Sequence, residues 1–217
     1  MVKLVVYGNE KATCTQRVLI LLEELSLEYR LHQIDLSKQH QKDPKFLAMN
    51  PFGKVPVVRY GDRTLFESRA ILRYIARNNS DELDLLGDVN TDIWLEVESQ
   101  NFSPIISKIV SEKVFKPMMG GKTDDIVVTS ELDKFKPILT IYNDRLAQQS
   151  YIGGEEYSIA DIAHIPYLHY FVNCGKEFKR YLKEYPYVYK WYKKLLHRKY
   201  VKRILFPEVE EAEEKKE

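Results

Sequence analysis

The sequence predicts an α+β domain built on a mixed four-stranded sheet, followed by an all-α domain, and three observations carry that prediction. Strand-like apolar runs, Lys3 to Gly8, Tyr29 to Ile34, Val55 to Val58 and Leu65 to Phe66, are confined to the first third or so of the chain. From about Thr91 onward the strand signals nearly vanish and apolar residues recur at helical spacing. Between the two patterns, Asn79 to Asn90 is a polar interval containing Gly87, which reads as a linker.

Residues 3 to 8 alternate toward a buried strand, and Val18, Leu19, Leu21, Leu22 and Leu25 then mark the apolar face of a helix. A second strand is expected near Tyr29 to Ile34. After the polar stretch Ser37 to Lys42, a short helical piece is expected around Phe46 to Met49. Pro51 and Gly53 stop it. Val55-Pro56-Val57-Val58 reads as a strand start, because Pro56 has no N–H and belongs at a strand's first residues or on an edge. Gly61-Asp62 reads as a hairpin turn, Leu65-Phe66 closes the next strand, and Glu67-Ser68 opens a helix with the stripe Ile71, Leu72, Ile75. Strand, helix, strand, helix, hairpin, helix is the order of a thioredoxin-like domain, and a right-handed crossover makes its first two strands parallel.

In the second half, Trp94, Val97, Ile105, Ile109 and Val114 fall near one helical face, and Leu132, Phe135, Leu139, Tyr142 and Leu146 on another. Pro137 falls inside the latter stretch and marks a kink or a later helix start. Ser158-Ile159-Ala160-Asp161 reads as a capping box, whose physics is helix initiation rather than catalysis. Val188, Trp191, Leu195 and Val201 suggest one final helix. The expected domains are therefore 1–79, a linker 80–90, a helical domain 91–207, and a charged tail 208–217 too polar to bury.

Composition bounds the function. With 217 residues, 44% of them hydrophobic, the chain can bury two modest cores. Lys and Arg total 33 against 32 Asp and Glu, so the net charge of +1 provides no global field to recruit nucleic acid or a membrane surface. No run approaches the ~18 apolar residues of a membrane helix. The N-terminal Met-Val-Lys-Leu-Val-Val-Tyr-Gly is too soon broken for a signal peptide's apolar region, and the two cysteines, Cys14 and Cys174, suit a reducing cytoplasm better than a disulfide framework. His164 and His169 are five apart rather than four, so no zinc site is expected. Gly120-Gly121-Lys122 lacks the spacing of a phosphate loop. The Lys193, Lys194, His197, Arg198, Lys199 cluster reads as a solvated helix face.

Asn50 to Ser68 carries the chemistry. Beside Pro56, the backbone of Val55 is free to pair with an extended peptide by strand addition. Glu67-Ser68, at a helix N-terminus, meets free N–H groups and positive dipole suited to a carboxylate. The run Pro-Phe-Gly-Lys-Val-Pro leading to Phe-Glu-Ser-Arg-Ala-Ile resembles the glutathione-binding half of cytosolic glutathione transferases, most closely the phi class. The resemblance extends to Lys3–Gly8, Arg17-Val18, Trp94 to Ser99, Phe115-Lys116-Pro117 and Ser158 to Asp161.

That resemblance implies a transferase, commonly a homodimer, conjugating reduced glutathione to small hydrophobic electrophiles or reducing organic peroxides, with glutathione as co-substrate and neither a cofactor nor a metal. It implies Gln41 and Lys42 at the glycine carboxylate, Lys54 beside the peptide and Val55 on the cysteinyl backbone. Glu67 and Ser68 would meet the γ-glutamyl amine and carboxylate, with Arg69 behind them or in solvent. Phe102, Ile106, Phe115 and Met119 are candidates for the electrophile pocket, and Phe52 for insertion into the partner's helical domain. In phi transferases the serine that donates to the sulfur stands six residues before the valine of Arg-Val; here that position is Ala12. Alanine donates nothing, so Thr13 is the expected donor, unless it only caps the helix; Thr15 is a weaker candidate. Two readings stand beside conjugation: a ligandin-type binding protein that lost turnover with Ala12, and a thiol oxidoreductase using Cys14.

Overall fold

The computed structural model describes residues 4–79 and 83–207. Lys3 of the first expected strand, positions 80–82 of the expected linker and the charged tail 208–217 lie outside them. The chain divides into two compact units. One runs to Leu85 and takes in the chain from Lys199, and the other is Leu86–Arg198.

The first unit begins with β1 (Leu4–Gly8), α1 (Thr13–Glu24) and β2 (Arg30–Gln33), then a 3-10 turn at His40–Lys42 and α2 (Pro44–Leu47). It continues with β3 (Val57–Tyr60), β4 (Arg63–Phe66) and α3 (Ser68–Arg77). The sheet order is β2-β1-β3-β4, with β1 and β2 parallel and the other two pairings antiparallel. This is the expected thioredoxin-like arrangement. Leu4 and Val6 point inward from β1, Val18 to Leu22 make α1 almost wholly internal, and Ile71, Leu72, Ile75 and Ala76 give α3 its buried face. Each buried Val, Leu or Ile among them contributes about 1.5–3 kcal/mol of transfer free energy. Ile34, Phe46 and Val57 form a further cluster, with Tyr7, Met49, Val55 and Phe66 packed against it. The β3 strand starts two residues later than the sequence suggests, because its ladder with β1 ends where Val57 meets Tyr7.

In the second unit, α4 (Val89–Val97) begins within the expected linker and runs on through a wide π turn at Glu98–Phe102 into α5 (Ser103–Val110). A second π turn, Ser111–Phe115, leads to α6 (Lys116–Met118). Then come α7 (Asp125–Leu146), α8 (Ile159–Asn173), α9 (Lys176–Lys183) and α10 (Pro186–Leu196). Pro137 neither starts nor ends a helix: α7 runs through it with Pro137 on its exposed side, where water can satisfy the freed carbonyl. The start is set instead by Asp124, whose carboxylate accepts from the N–H groups of Ile126 and Val127 at 3.0 and 3.2 Å.

The capping box forms at the head of α8. Asp161 accepts from the Ser158 N–H at 2.9 Å and also from the Ile152 N–H at 3.0 Å and Trp191 Nε1 at 2.8 Å. Nearby, the His164 ring packs among Phe102, Tyr142 and Trp191. Its Nδ1 lies 2.7 Å from the Ala160 carbonyl, which only accepts, so Nδ1 carries the proton. Nε2 then accepts from the Tyr142 hydroxyl at 2.9 Å.

The single final helix expected from Val188 to Val201 is two. After α10, a separate α11 (Lys199–Leu205) packs against α1, with Arg203 Nη1 3.0 Å from Glu23 Oε2. Positions 199–207 therefore group with the first unit, not with the helical domain. The apolar period hides the break because Leu195 and Val201, on either side of it, are both fully buried.

Candidate functional site

The site is built at the end of β1. Gly8 closes that strand, and a Cβ there would come within 2.6 Å of Thr15 Cγ2, so its bare backbone lets α1 lie close. Asn9 turns the chain: its side chain donates to the Ile34 carbonyl at 3.2 Å and accepts from the Lys11 N–H at 3.0 Å. The α1 helix then starts with Ala12 as its N-cap and no side-chain cap. Thr13 is the first helical residue, so it does not cap α1; it is buried at 5% exposure, and its hydroxyl has no hydrogen bond among the described residues. The first-turn N–H groups of α1 are left to a ligand or water.

The second wall is the loop 50–56. Buried Asn50 shapes it by donating to the Lys54 carbonyl at 2.7 Å and accepting from the Phe52 N–H at 3.1 Å. Gly53 has φ +57°, and a Cβ there would stand 2.8 Å from both the Gln41 carbonyl and Lys42 Nζ. The glycine thus lets the His40–Lys42 turn close onto the loop. Lys42 Nζ reaches the Phe52 carbonyl at 3.2 Å, and Gln41 Oε1 is buried without a hydrogen-bond partner. The Lys54 side chain is exposed. Val55, half-buried, precedes a cis peptide bond to Pro56, and neither its N–H nor its carbonyl is hydrogen-bonded among the described residues.

Strand register brings the third wall to the same place. Val57 pairs with Phe66, so Val55-Pro56 runs out of one end of the ladder as Glu67-Ser68 leaves the other strand beside it. Glu67 is the N-cap of α3 with φ 67° and ψ 106° and no side-chain cap bond. A non-glycine residue in that region costs on the order of 1–3 kcal/mol and clusters at ligand sites. Its side chain is exposed, whereas Ser68 is buried.

Two residues at the site were not assigned a role from the sequence. Asn50 gave a signal only as an Asn before Pro51. Arg17 gave one only as half of the Arg17-Val18 pair; it is fully buried, with Nη1 3.3 Å from Ser68 Oγ and 3.6 Å from Cys14 Sγ. Thr15 is buried with its hydroxyl unpartnered, packed against Gly8.

The expected pocket residues separate in the second unit. Phe102 and Ile106 have no exposed surface, and Phe102 stacks among Phe135, Tyr142 and His164. They are core rather than pocket wall. Phe115 is half-buried with its ring 5.2 Å from that of Tyr170, and Met119 is 81% exposed. Among the described residues, no three His, Cys, Asp or Glu side chains gather as metal ligands, and no helix is long and apolar enough to cross a membrane.

Comparison with known proteins bears on this arrangement. Residues 2–77 match the family model "Glutathione S-transferase, N-terminal domain", and residues 125–194 match "Glutathione S-transferase, C-terminal domain". The chain is 38% identical over 207 residues to the probable glutathione S-transferase GSTF1 of Oryza sativa subsp. japonica, covering 92% of this chain and 94% of that one. The crystal structure of glutathione transferase F7 from Populus trichocarpa superposes with a TM-score of 0.88 at 34% identity, covering 93% and 97% of the two chains. Glutathione S-transferase I from mais, solved in complex with an atrazine glutathione conjugate, gives 0.83 at 34% identity, covering 93% and 96%.

Proposed function

The chain belongs to the phi class of the glutathione S-transferase family, and on that footing we propose that its first unit holds reduced glutathione as an extended peptide along Val55. Glutathione transfer is its activity, with glutathione as co-substrate. The cysteinyl backbone pairs with Val55, the γ-glutamyl end lies against Glu67 and Ser68, and the glycine carboxylate faces Gln41, Lys42 and Lys54. A thiol of pKa ~8.5 is only a few per cent ionised at neutral pH. The uncapped first turn of α1 and the Thr13 hydroxyl supply donors to the sulfur, so that its proton leaves to solvent and the thiolate attacks the electrophile. Phe115 and Met119 offer apolar surface for hydrophobic electrophiles, whereas Phe102 and Ile106 belong to the helical core. Organic peroxides are a second class of acceptor for the same thiolate.

The observation that carries this reading is the unpaired backbone of Val55 beside a strained, uncapped helix start at Glu67. Titration with glutathione should raise an ultraviolet thiolate band, and Thr13→Ala should lower kcat/KM for a model electrophile about tenfold, the equivalent of one unit of thiol pKa. A rate unchanged in Thr13→Ala would remove Thr13 from its role. Binding with no turnover would leave the ligand-carrier reading, and a mixed disulfide of Cys14 with glutathione would favour the oxidoreductase.

The protein works as a cytoplasmic homodimer in this proposal. Both cysteines are free thiols, which supports a reducing compartment. Phe52, 63% exposed on the loop 50–56, is suited to insertion into a partner's helices. Phe52→Ser should shift the sedimentation equilibrium toward monomer, and an unchanged dimer would remove Phe52 from the interface.

A further inference from the structure

Arg17 is the largest fully buried side chain among the described residues. A guanidinium stays charged at any pH a protein survives, and its nitrogens only donate. Burial of such a group demands acceptors, and one of its nitrogens, Nη1, is directed at Ser68 Oγ at 3.3 Å and Cys14 Sγ at 3.6 Å. The side chain therefore ties the first turn of α1 to the first residue of α3, the two helix starts that flank the site.

We infer that Arg17 is a positioning residue for glutathione, acting through Ser68 to select the α-carboxylate of the γ-glutamyl group. The inference rests on the reading that Ser68 meets that carboxylate. A serine hydroxyl has one proton and two lone pairs. Arg17 can engage only a lone pair, so the proton of Ser68 must point elsewhere. Among the described residues that proton has no acceptor. Ser68 is thus a donor awaiting an acceptor from outside. Arg17 adds a permanent positive charge behind the hydroxyl, in surroundings where a charge is screened little. The start of α3 adds partial charge of the same sign. An anion is the ligand group that all three favour, and the charge and the helix start both disfavour a cationic group.

The test compares two ligands on the full chain by calorimetry: reduced glutathione, and γ-aminobutyryl-cysteinyl-glycine, which lacks only the carboxylate in question. Arg17→Met should weaken glutathione about tenfold, the loss of one hydrogen bond to a charged group, and leave the analogue's affinity unchanged. Arg17→Lys, which restores a cationic donor, should recover most of the loss. Arg17→Met combined with Ser68→Ala should bind glutathione no more weakly than Ser68→Ala alone. Equal weakening of both ligands, or no weakening of either, would overturn the inference and leave Arg17 a structural residue. Should Arg17→Met not fold, Arg17→Gln, an uncharged donor, serves instead, with about a threefold loss expected on glutathione alone and the same overturning outcomes. If the wild type binds neither ligand, the glutathione reading itself fails; if it binds both and Ser68→Ala weakens neither, only the role of Ser68, and that of Arg17 with it, is lost.

Discussion

The starts of α1 and α3 in the first unit and the start of α8 in the second are handled in opposite ways. At the head of α8, Ser158 and Asp161 close a capping box, and the same carboxylate gathers donors from Ile152 and Trp191, so that backbone and side-chain polar groups are consumed where they are buried. At the heads of α1 and α3 the N-cap residues are Ala12 and Glu67, neither of which makes a side-chain cap, and Glu67 sits at φ 67°. A cap is worth about 1 kcal/mol, and the strain at Glu67 costs on the order of 1–3 kcal/mol more. The chain forgoes that stability at the two starts that face the proposed peptide site and secures it at the one that faces a core.

Opening the closed start should produce the largest effect. Asp161→Ala leaves the Trp191 Nε1, Ile152 N–H and Ser158 N–H without their acceptor and should cost about 3 kcal/mol or more in denaturant unfolding; a loss under about 1 kcal/mol would mean that water replaces the carboxylate. Closing an open start should act the other way and more gently. Ala12→Ser should stabilise the fold by about 1 kcal/mol by capping α1, and an unmoved midpoint would show that those donors are already satisfied.

The smallest effect lies further along α8, beyond its cap. Burial holds His169 down to about 4. Because its folded value is depressed below the ordinary ~6.5, the stability it contributes is present above that value and is lost as pH falls through about 4. Asp161, which burial raises to about 6, works with the opposite sign: its contribution is lost as pH rises through that value. The difference between wild type and His169→Gln isolates the histidine, and equal acid sensitivity of the two proteins would remove it from the account.

The sequence made the first unit readable because its signals are local. Pro56, the Gly61-Asp62 turn and the stripe Ile71, Leu72, Ile75 each act within a few residues, and the hairpin and α3 form as expected apart from the two-residue later start of β3. What escaped was non-local. Thr13 is buried by its surroundings and not by its chemistry, Arg17 is internal because Ser68, 51 positions away, faces it, and α11 leaves the helical unit because it packs on α1. Phe102 shows the same limit, since an aromatic at helical spacing does not say which of two sides of a helix is core.

The two π turns in the rod from Val89 to Met118 bear on inheritance rather than on chemistry. A π turn holds one residue more than the α turn it replaces, so each of the two takes up an additional residue without breaking the helix. Deleting one residue within 98–102 or 111–115 would let that turn relax to α geometry and leave the helix beyond it at nearly the same rotation about the axis. A one-residue gain or loss is thereby confined to the turn that absorbs it, and the helix on either side keeps its faces.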